Sequence, residues 1–284
     1  MKRLLTVFVG LGAMLSALGT AEAKKNVLPD WQDPQIVQEN RLPMTASFET
    51  DGLKMSLNGT WDFCWYETID SRSSDFFKVD FDASGWDVMP VPGLWEMNGY
   101  GIPVYVNQTN EFPSNPPYAP TEYNPVGCYI KKVTLPKNFK KDRVIIAFEG
   151  VEAAYYLYIN GVRCAYSEGT FRHSEFDITE YMTEGENTVA VEVYRWCTGS
   201  WLEDQDFFRL SGIFRPVYIY TTAKQYVADF TVKATPDVTD YKTGELTAEV
   251  LLGENTKHTE LELTAYDAKG DVVATDSLCV ENGN

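Results

Sequence analysis

Hydrophobic and polar positions alternate with a period of two through most of the middle of the chain. Tyr129, Lys131, Val133 and Leu135 alternate with Ile130, Lys132 and Thr134, and Val189, Val191 and Val193 fall on one face of residues 187–195. A period of two sends successive side chains to opposite faces of a strand. Residues 129–135, 143–148, 153–159, 176–178, 187–195 and 214–220 are therefore predicted strands. An earlier one is expected within residues 54–66, where Trp61, Phe63 and Trp65 share a face. Asn160-Gly161 suits a hairpin turn, because both residue types accept positive φ. No stretch keeps a 3.6-residue apolar period. The pattern predicts an antiparallel, all-β sandwich of the jelly-roll type over residues 51–222.

The alternation breaks twice. Residues 24–50 are polar and contain proline, and they read as an arm packed on a surface by Trp31 and Leu42. Residues 86–125 are dense in Pro, Gly, Asn and Tyr. Each proline deletes a ladder donor, so these residues cannot form central strands. The many aromatics argue instead for a long ordered loop packed by its own side chains, a common place for binding groups.

Past residue 222 come four shorter strand-like runs, residues 226–234, 245–252, 258–266 and 271–277, with turn residues between them. That is the pattern of an immunoglobulin-like sandwich, but such a domain needs about seven strands. Residues 223–284 are thus expected to form an incomplete one, and the sequence is expected to stop short of the whole protein. At the other end, Lys2 and Arg3 precede an apolar run and then Ala21-Glu22-Ala23, the layout of a secretory signal peptide over residues 1–23. This predicts an exported protein, periplasmic or on the cell surface. No later segment is apolar enough to span a bilayer.

Composition narrows the choices. A formal net charge of -17 argues against nucleic acid, whose phosphates call for a basic surface. The five cysteines show no CxxC pair and only two histidines accompany them, so a zinc site is not expected. Mostly buried single thiols within strands are expected instead.

The densest polar cluster is Trp201-Leu202-Glu203-Asp204-Gln205-Asp206-Phe207-Phe208-Arg209, followed by Arg215. Carboxylates beside large aromatics need hydrogen bonds or cationic partners. Two readings follow. The cluster is a structural ion network with Arg209 and Arg215, or it is part of a sugar site. For the second, Asn107, Asn110, Trp201 and Asp206 offer acceptors for hydroxyls and a ring for a sugar's C–H face. Glu203 and Asp206 as a catalytic pair would need carboxyl groups about 5 Å apart, or about 6.5–9.5 Å, across one glycosidic bond. Two acids in so acidic a chain do not establish that. His173 and His258 stand in no nucleophile setting and are expected to be structural.

Several segments carry a family resemblance. They are Leu57-Asn58-Gly59-Thr60-Trp61-Asp62-Phe63, Pro92-Gly93-Leu94-Trp95, Gly101-Ile102-Pro103-Val104-Tyr105-Val106-Asn107, Asn124-Pro125-Val126-Gly127-Cys128-Tyr129, Ser174-Glu175-Phe176-Asp177-Ile178-Thr179 and the cluster from Trp201 to Arg215. In order, they resemble the sugar-binding domain of glycoside hydrolase family 2. Leu202-Glu203-Asp204-Gln205-Asp206 points to that family's long-chain β-galactosidases rather than its β-glucuronidases or β-mannosidases.

The resemblance implies a galactose-binding-like jelly roll, then an immunoglobulin-like domain, then a TIM barrel that this chain lacks. In the family the barrel holds both catalytic glutamates, so no catalytic residue is expected here and the chain alone should be inactive. Asn107 and Asp206 match the positions that touch the galactosyl group of a β-galactoside, and Asp206 the position that helps hold sodium. Magnesium belongs to the intact enzyme. The implied partners are a β-galactoside and the missing barrel portion, with a homo-oligomer of the intact enzyme left open. The alternative is a stand-alone exported carbohydrate-binding or assembly module. It would show a complete second domain and a concave aromatic site closed by the chain's own residues.

Overall fold

The computed structural model of the chain describes residues 5–10, 28–46, 52–107, 112–137, 139, 142–203, 206–239, 241–253 and 256–282. The cleavage-like Ala21-Glu22-Ala23, Asn110 and the residue pair Asp204-Gln205 lie outside these residues. The chain divides into two compact units, residues 23–44 with 52–221, and residues 1–22 with 45–51 and 222–284.

The larger unit is a sandwich. Its seven-stranded sheet runs in the order β2 (Gln38–Glu39), β11 (Val162–Glu168), β10 (Ala154–Ile159), β13 (Gly185–Tyr194), β7 (Val126–Leu135), β4 (Gly59–Tyr66) and β5 (Asp87–Val91). The facing four-stranded sheet is β12 (Ser174–Asp177), β8 (Arg143–Phe148), β16 (Val217–Thr222) and β3 (Lys54–Ser56). Two short ribbons complete it: β6 (Val104–Val106) with β14 (Phe207–Arg209), and β9 (Val151–Glu152) with β15 (Gly212–Ile213). The alternating positions explain the core. Trp61 and Phe63, Tyr129 and Val133, Leu157 and Ile159, and Val189, Val191 and Val193 all turn inward to meet Ile146, Phe148, Phe176, Val217 and Ile219. Asn160 and Gly161 turn the β10–β11 hairpin with φ of 50° and 82°. Pro90 sits on β5, an edge strand, where a missing N–H costs little.

The opposite face of the large sheet is also buried. Val126, Cys128, Ile130, Ala154, Tyr156, Tyr158, Tyr166, Ala190 and Tyr194 form a second cluster with Trp31 and Phe76. Trp31 of the arm stacks on Tyr194 at 5.7 Å, Phe77 on Tyr158 at 4.3 Å, and Phe112 meets Trp196 edge-on at 5.0 Å. One row of opposed residues crosses six strands on this face: Cys64, Cys128, Glu192, Tyr156, Tyr166 and Glu39. The arm does more than rest on the surface. Its β2 extends the sheet, and Asn40 donates to the Cys164 carbonyl at 2.7 Å.

In the smaller unit, β17 (Val227–Pro236) pairs antiparallel with β18 (Gly244–Leu252), and β19 (Lys257–Tyr266) with β20 (Val272–Asn282). The apolar run β1 (Leu5–Gly10) lies parallel to β18. Ala248, Val250 and Leu252 are buried, whereas Val232, Tyr266 and Val272 remain exposed. An immunoglobulin-like sandwich with its usual strand number would cover such positions, so this one is incomplete.

Candidate functional site

The two loops that carry Asn107 and Asp206 are joined by the short ribbon. In it Phe207 opposes Val106, Phe208 opposes Tyr105, and Arg209 opposes Val104. Asn107 follows Val106 and Asp206 precedes Phe207, so the antiparallel register puts the two residues at the same open end of the ladder. Both are exposed. The Tyr105 hydroxyl donates to Asp206 Oδ1. This bond to a carboxylate holds the phenol above its ordinary range, while contact with the Asn107 side chain acts the other way. Asn107, Tyr105 and Asp206 therefore form one solvent-facing polar cluster. The rings of Tyr105 and Phe208 meet edge-on at 5.6 Å. Ile102 and Leu202, on the same two segments, are exposed as well.

Buried charges root both strands of the ribbon. Arg195 pairs with Glu96 at 2.8 Å, the side chains being 1% and 0% exposed. Arg195 Nη2 also donates to the Ile102 carbonyl at 3.0 Å, just ahead of β6. Glu96 Oε2 accepts from the Ser211 N–H at 2.8 Å, just after β14. Trp95 beside it is held by its own N–H on the Ser211 carbonyl and by its indole N–H on the Tyr129 hydroxyl. Gly127 makes room for that indole, since a Cβ there would lie 2.5 Å from it.

Beneath the ribbon is a cavity of about 10 Å³ lined by Glu152, Arg195, Trp196, Ser200, Glu203 and Arg209. Burial, reinforced by the Glu203 charge, pushes the Glu152 carboxyl up to about 8, against the pull of Arg209 and Arg195. The ion-network reading gains no support from Glu203 and Arg215, whose partners are neutral groups. Glu203 spends both oxygens on Thr170, at 2.7 Å from its N–H and 2.6 Å from its hydroxyl. Arg215 donates to the Glu149 and Phe171 carbonyls.

The other sequence candidates divide. Trp201 ties the two loops through its indole N–H to the Tyr118 carbonyl at 3.0 Å and packs edge-on against Phe112. His173 bonds Glu175 at 3.0 Å, and His258 stands at a φ of 49° on the smaller unit. Tyr105, Glu96, Arg195 and Glu152 were missed. No spacing rule joins them, and only Trp95-Glu96 and Arg195-Trp196, each a charge beside a tryptophan, hinted at burial. Among the described residues no three of His, Cys, Asp or Glu come together as a metal centre.

A second concavity, about 370 Å³, opens on the outer face of the large sheet between Trp31, Arg72, Tyr156, Tyr158, Tyr194 and Glu192. Glu192 forms its floor. It accepts from Tyr194 at 2.6 Å, from Tyr158 at 3.1 Å and from Arg72 Nε.

A jelly-roll sandwich with polar groups gathered at a loop ribbon defines a class, and sequence comparison identifies it. Residues 54–223 match glycosyl hydrolases family 2, sugar binding domain, and the chain belongs to that family. It is 43% identical over 274 residues to a β-galactosidase of Priestia megaterium, covering 88% of this chain and 26% of that protein. It is 43% identical over 265 residues to the β-galactosidase of Halalkalibacterium halodurans, covering 87% and 26%. The chain thus spans about a quarter of the length of these relatives. Among solved structures, a β-glucuronidase of Bacteroides uniformis shares the fold with a TM-score of 0.63 at 19% identity, over 81% of this chain and 26% of that one. The described residues form strands and short turns, with no catalytic barrel among them.

Proposed function

We propose that this chain is the substrate-contacting, non-catalytic part of an exported β-galactosidase, and that Asn107 and Asp206 meet the galactosyl group of the substrate. One observation carries the reading: the register of the ribbon, which sets these two residues side by side and exposed, next to the rings of Tyr105 and Phe208. Large exposed apolar groups beside a polar centre mark a surface made to be covered. A catalytic barrel is the covering element, and the galactosyl group lies between. Asp206 would offer one hard oxygen ligand to a sodium ion, and magnesium would be held by residues of the longer enzyme. The galactosidase relatives at 43% identity support a galactoside over a glucuronide. Export is supported by the layout of residues 1–23.

The test is kinetic. In the longer enzyme, Asp206→Asn should lower kcat/KM on a nitrophenyl β-D-galactoside by orders of magnitude with the fold retained, and unchanged kinetics would reject the role. The chain by itself should release no nitrophenol.

The aromatic and charged cleft at Glu192 supports a second reading, a stand-alone carbohydrate-binding module. Titration calorimetry of the isolated chain with β-galacto-oligosaccharides decides between them. Micromolar binding lost in Tyr156→Ala and kept in Asp206→Asn would favour the module.

A further inference from the structure

We propose that Cys64 and Cys128 are a modification site, a thiol pair that closes into a cross-strand disulfide in an oxidising compartment. The two residues are opposed Cα partners on the adjacent antiparallel strands β4 and β7. Opposed residues in such a ladder have Cα atoms about 4.5–5.5 Å apart and side chains on the same face. That separation lies inside the range of about 4.4–6.8 Å that a disulfide spans.

The surroundings favour reaction at this pair. Cys64 is half-buried and open to a reagent, whereas Cys128, beside it on the next strand, is fully buried. The neighbouring polar groups on the face are Tyr66, which lies beside Cys64, and Glu192 and Arg72, whose charges act on Cys128. Burial pushes the Cys128 thiol well up, so Cys64 is the residue that attacks first. None of the registered pairs of the sheet opposes Cys164 or Cys197 to another cysteine, and Cys279 belongs to the other unit.

The chemistry is thiol–disulfide exchange with a small-molecule disulfide or an oxidoreductase disulfide. The Cys64 thiolate attacks one sulfur of the oxidant and releases its first thiol. Cys128 gives up its proton and attacks the Cys64 sulfur, forming the bond between the strands and expelling the second thiol. Two protein thiols are oxidised and one oxidant disulfide is reduced. The bridge closes a loop that contains Trp95, Glu96 and Asn107, and so fastens β4 to β7, the strand to which the site-bearing loop returns. Its occurrence in the cell rests on the export reading, because disulfides persist in oxidising compartments.

The full chain, incubated in a glutathione disulfide buffer and quenched with acid, should lose the mass of two hydrogens. Peptide mapping should recover a Cys64–Cys128 linked peptide, dithiothreitol should abolish it, and the oxidised form should melt at a higher temperature than the reduced one. Cys64→Ser should remove the linkage. A Cys64–glutathione adduct that persists, a bridge mapped to other cysteines, or two thiols that stay open to alkylation would each overturn the proposal. The mapping uses the unaltered chain, so it decides even if the variant fails to fold. A protein found only in a reducing compartment would instead overturn export and leave the exchange chemistry standing.

Discussion

Glu96 and Arg195 meet at 2.8 Å with almost no solvent exposure, and through them two distant backbone segments are held at one place. Arg195 binds the carbonyl of Ile102, and Glu96 binds the N–H of Ser211. Each segment leads into one strand of the ribbon that ends at Asn107 and Asp206. The pair is thus structural in energy and positional in consequence.

Removing one partner leaves the other charge buried alone, which costs about 3–5 kcal/mol. Arg195→Met should therefore destabilise the chain by about that amount in urea unfolding. In the longer enzyme a surviving folded fraction should show a raised KM, because the ribbon loses its anchor. A loss under 1 kcal/mol would mean the pair does not hold the ribbon.

Asp206 and Asn107 are exposed, so replacing them should leave thermal stability nearly unchanged, as is usual for surface positions. Asp206→Asn should also lower the ionisation range of one tyrosine, since the carboxylate is the main cause of Tyr105's upward shift. Ultraviolet difference titration against the parent chain reads this directly. An identical titration would show that Tyr105 and Asp206 do not interact in solution.

Glu152 gives a pH dependence. Its carboxyl is pushed from an ordinary 4.5 to about 8 when folded. Below the lower value both the folded and the unfolded chain carry the proton, and there is no contribution. Between the two, only the unfolded chain releases it, so stability falls as pH rises through this window and levels off above it. Glu152→Gln should abolish this dependence and melt higher than the parent at pH 8. Equal slopes for the two proteins between pH 5 and 8 would disprove the assignment.

Gly127 lies under Trp95, where a Cβ would stand 2.5 Å from the indole and 2.9 Å from the Phe63 ring. Both neighbours are fully buried. Gly127→Ala should cost about 1–3 kcal/mol, the usual range for overpacking, measured by calorimetry. It should also weaken catalysis in the longer enzyme by displacing Glu96, the next residue along. Full activity together with full stability would show that the core yields without strain.

The alternating patterns at 129–135 and 187–195, the Asn160-Gly161 turn and the aromatic face of Trp61 and Phe63 were legible because burial in a sandwich acts residue by residue with a period of two. They determined an all-β chain, its longer central strands and its inward face. The motif around Leu202 and Asp206 named the residues most worth testing. Only tertiary structure decided that the large sheet is buried on its outer face as well, because the covering groups Trp31, Phe77 and Phe112 come from segments without periodicity. Only tertiary structure placed Asn107 beside Asp206, and Cys64 opposite Cys128. Those adjacencies depend on register between strands far apart in sequence, and register is set by many side chains packing at once. The same holds for Glu96 and Arg195: a lone charge in a sequence looks solvated, and its burial follows from what the rest of the chain closes over it.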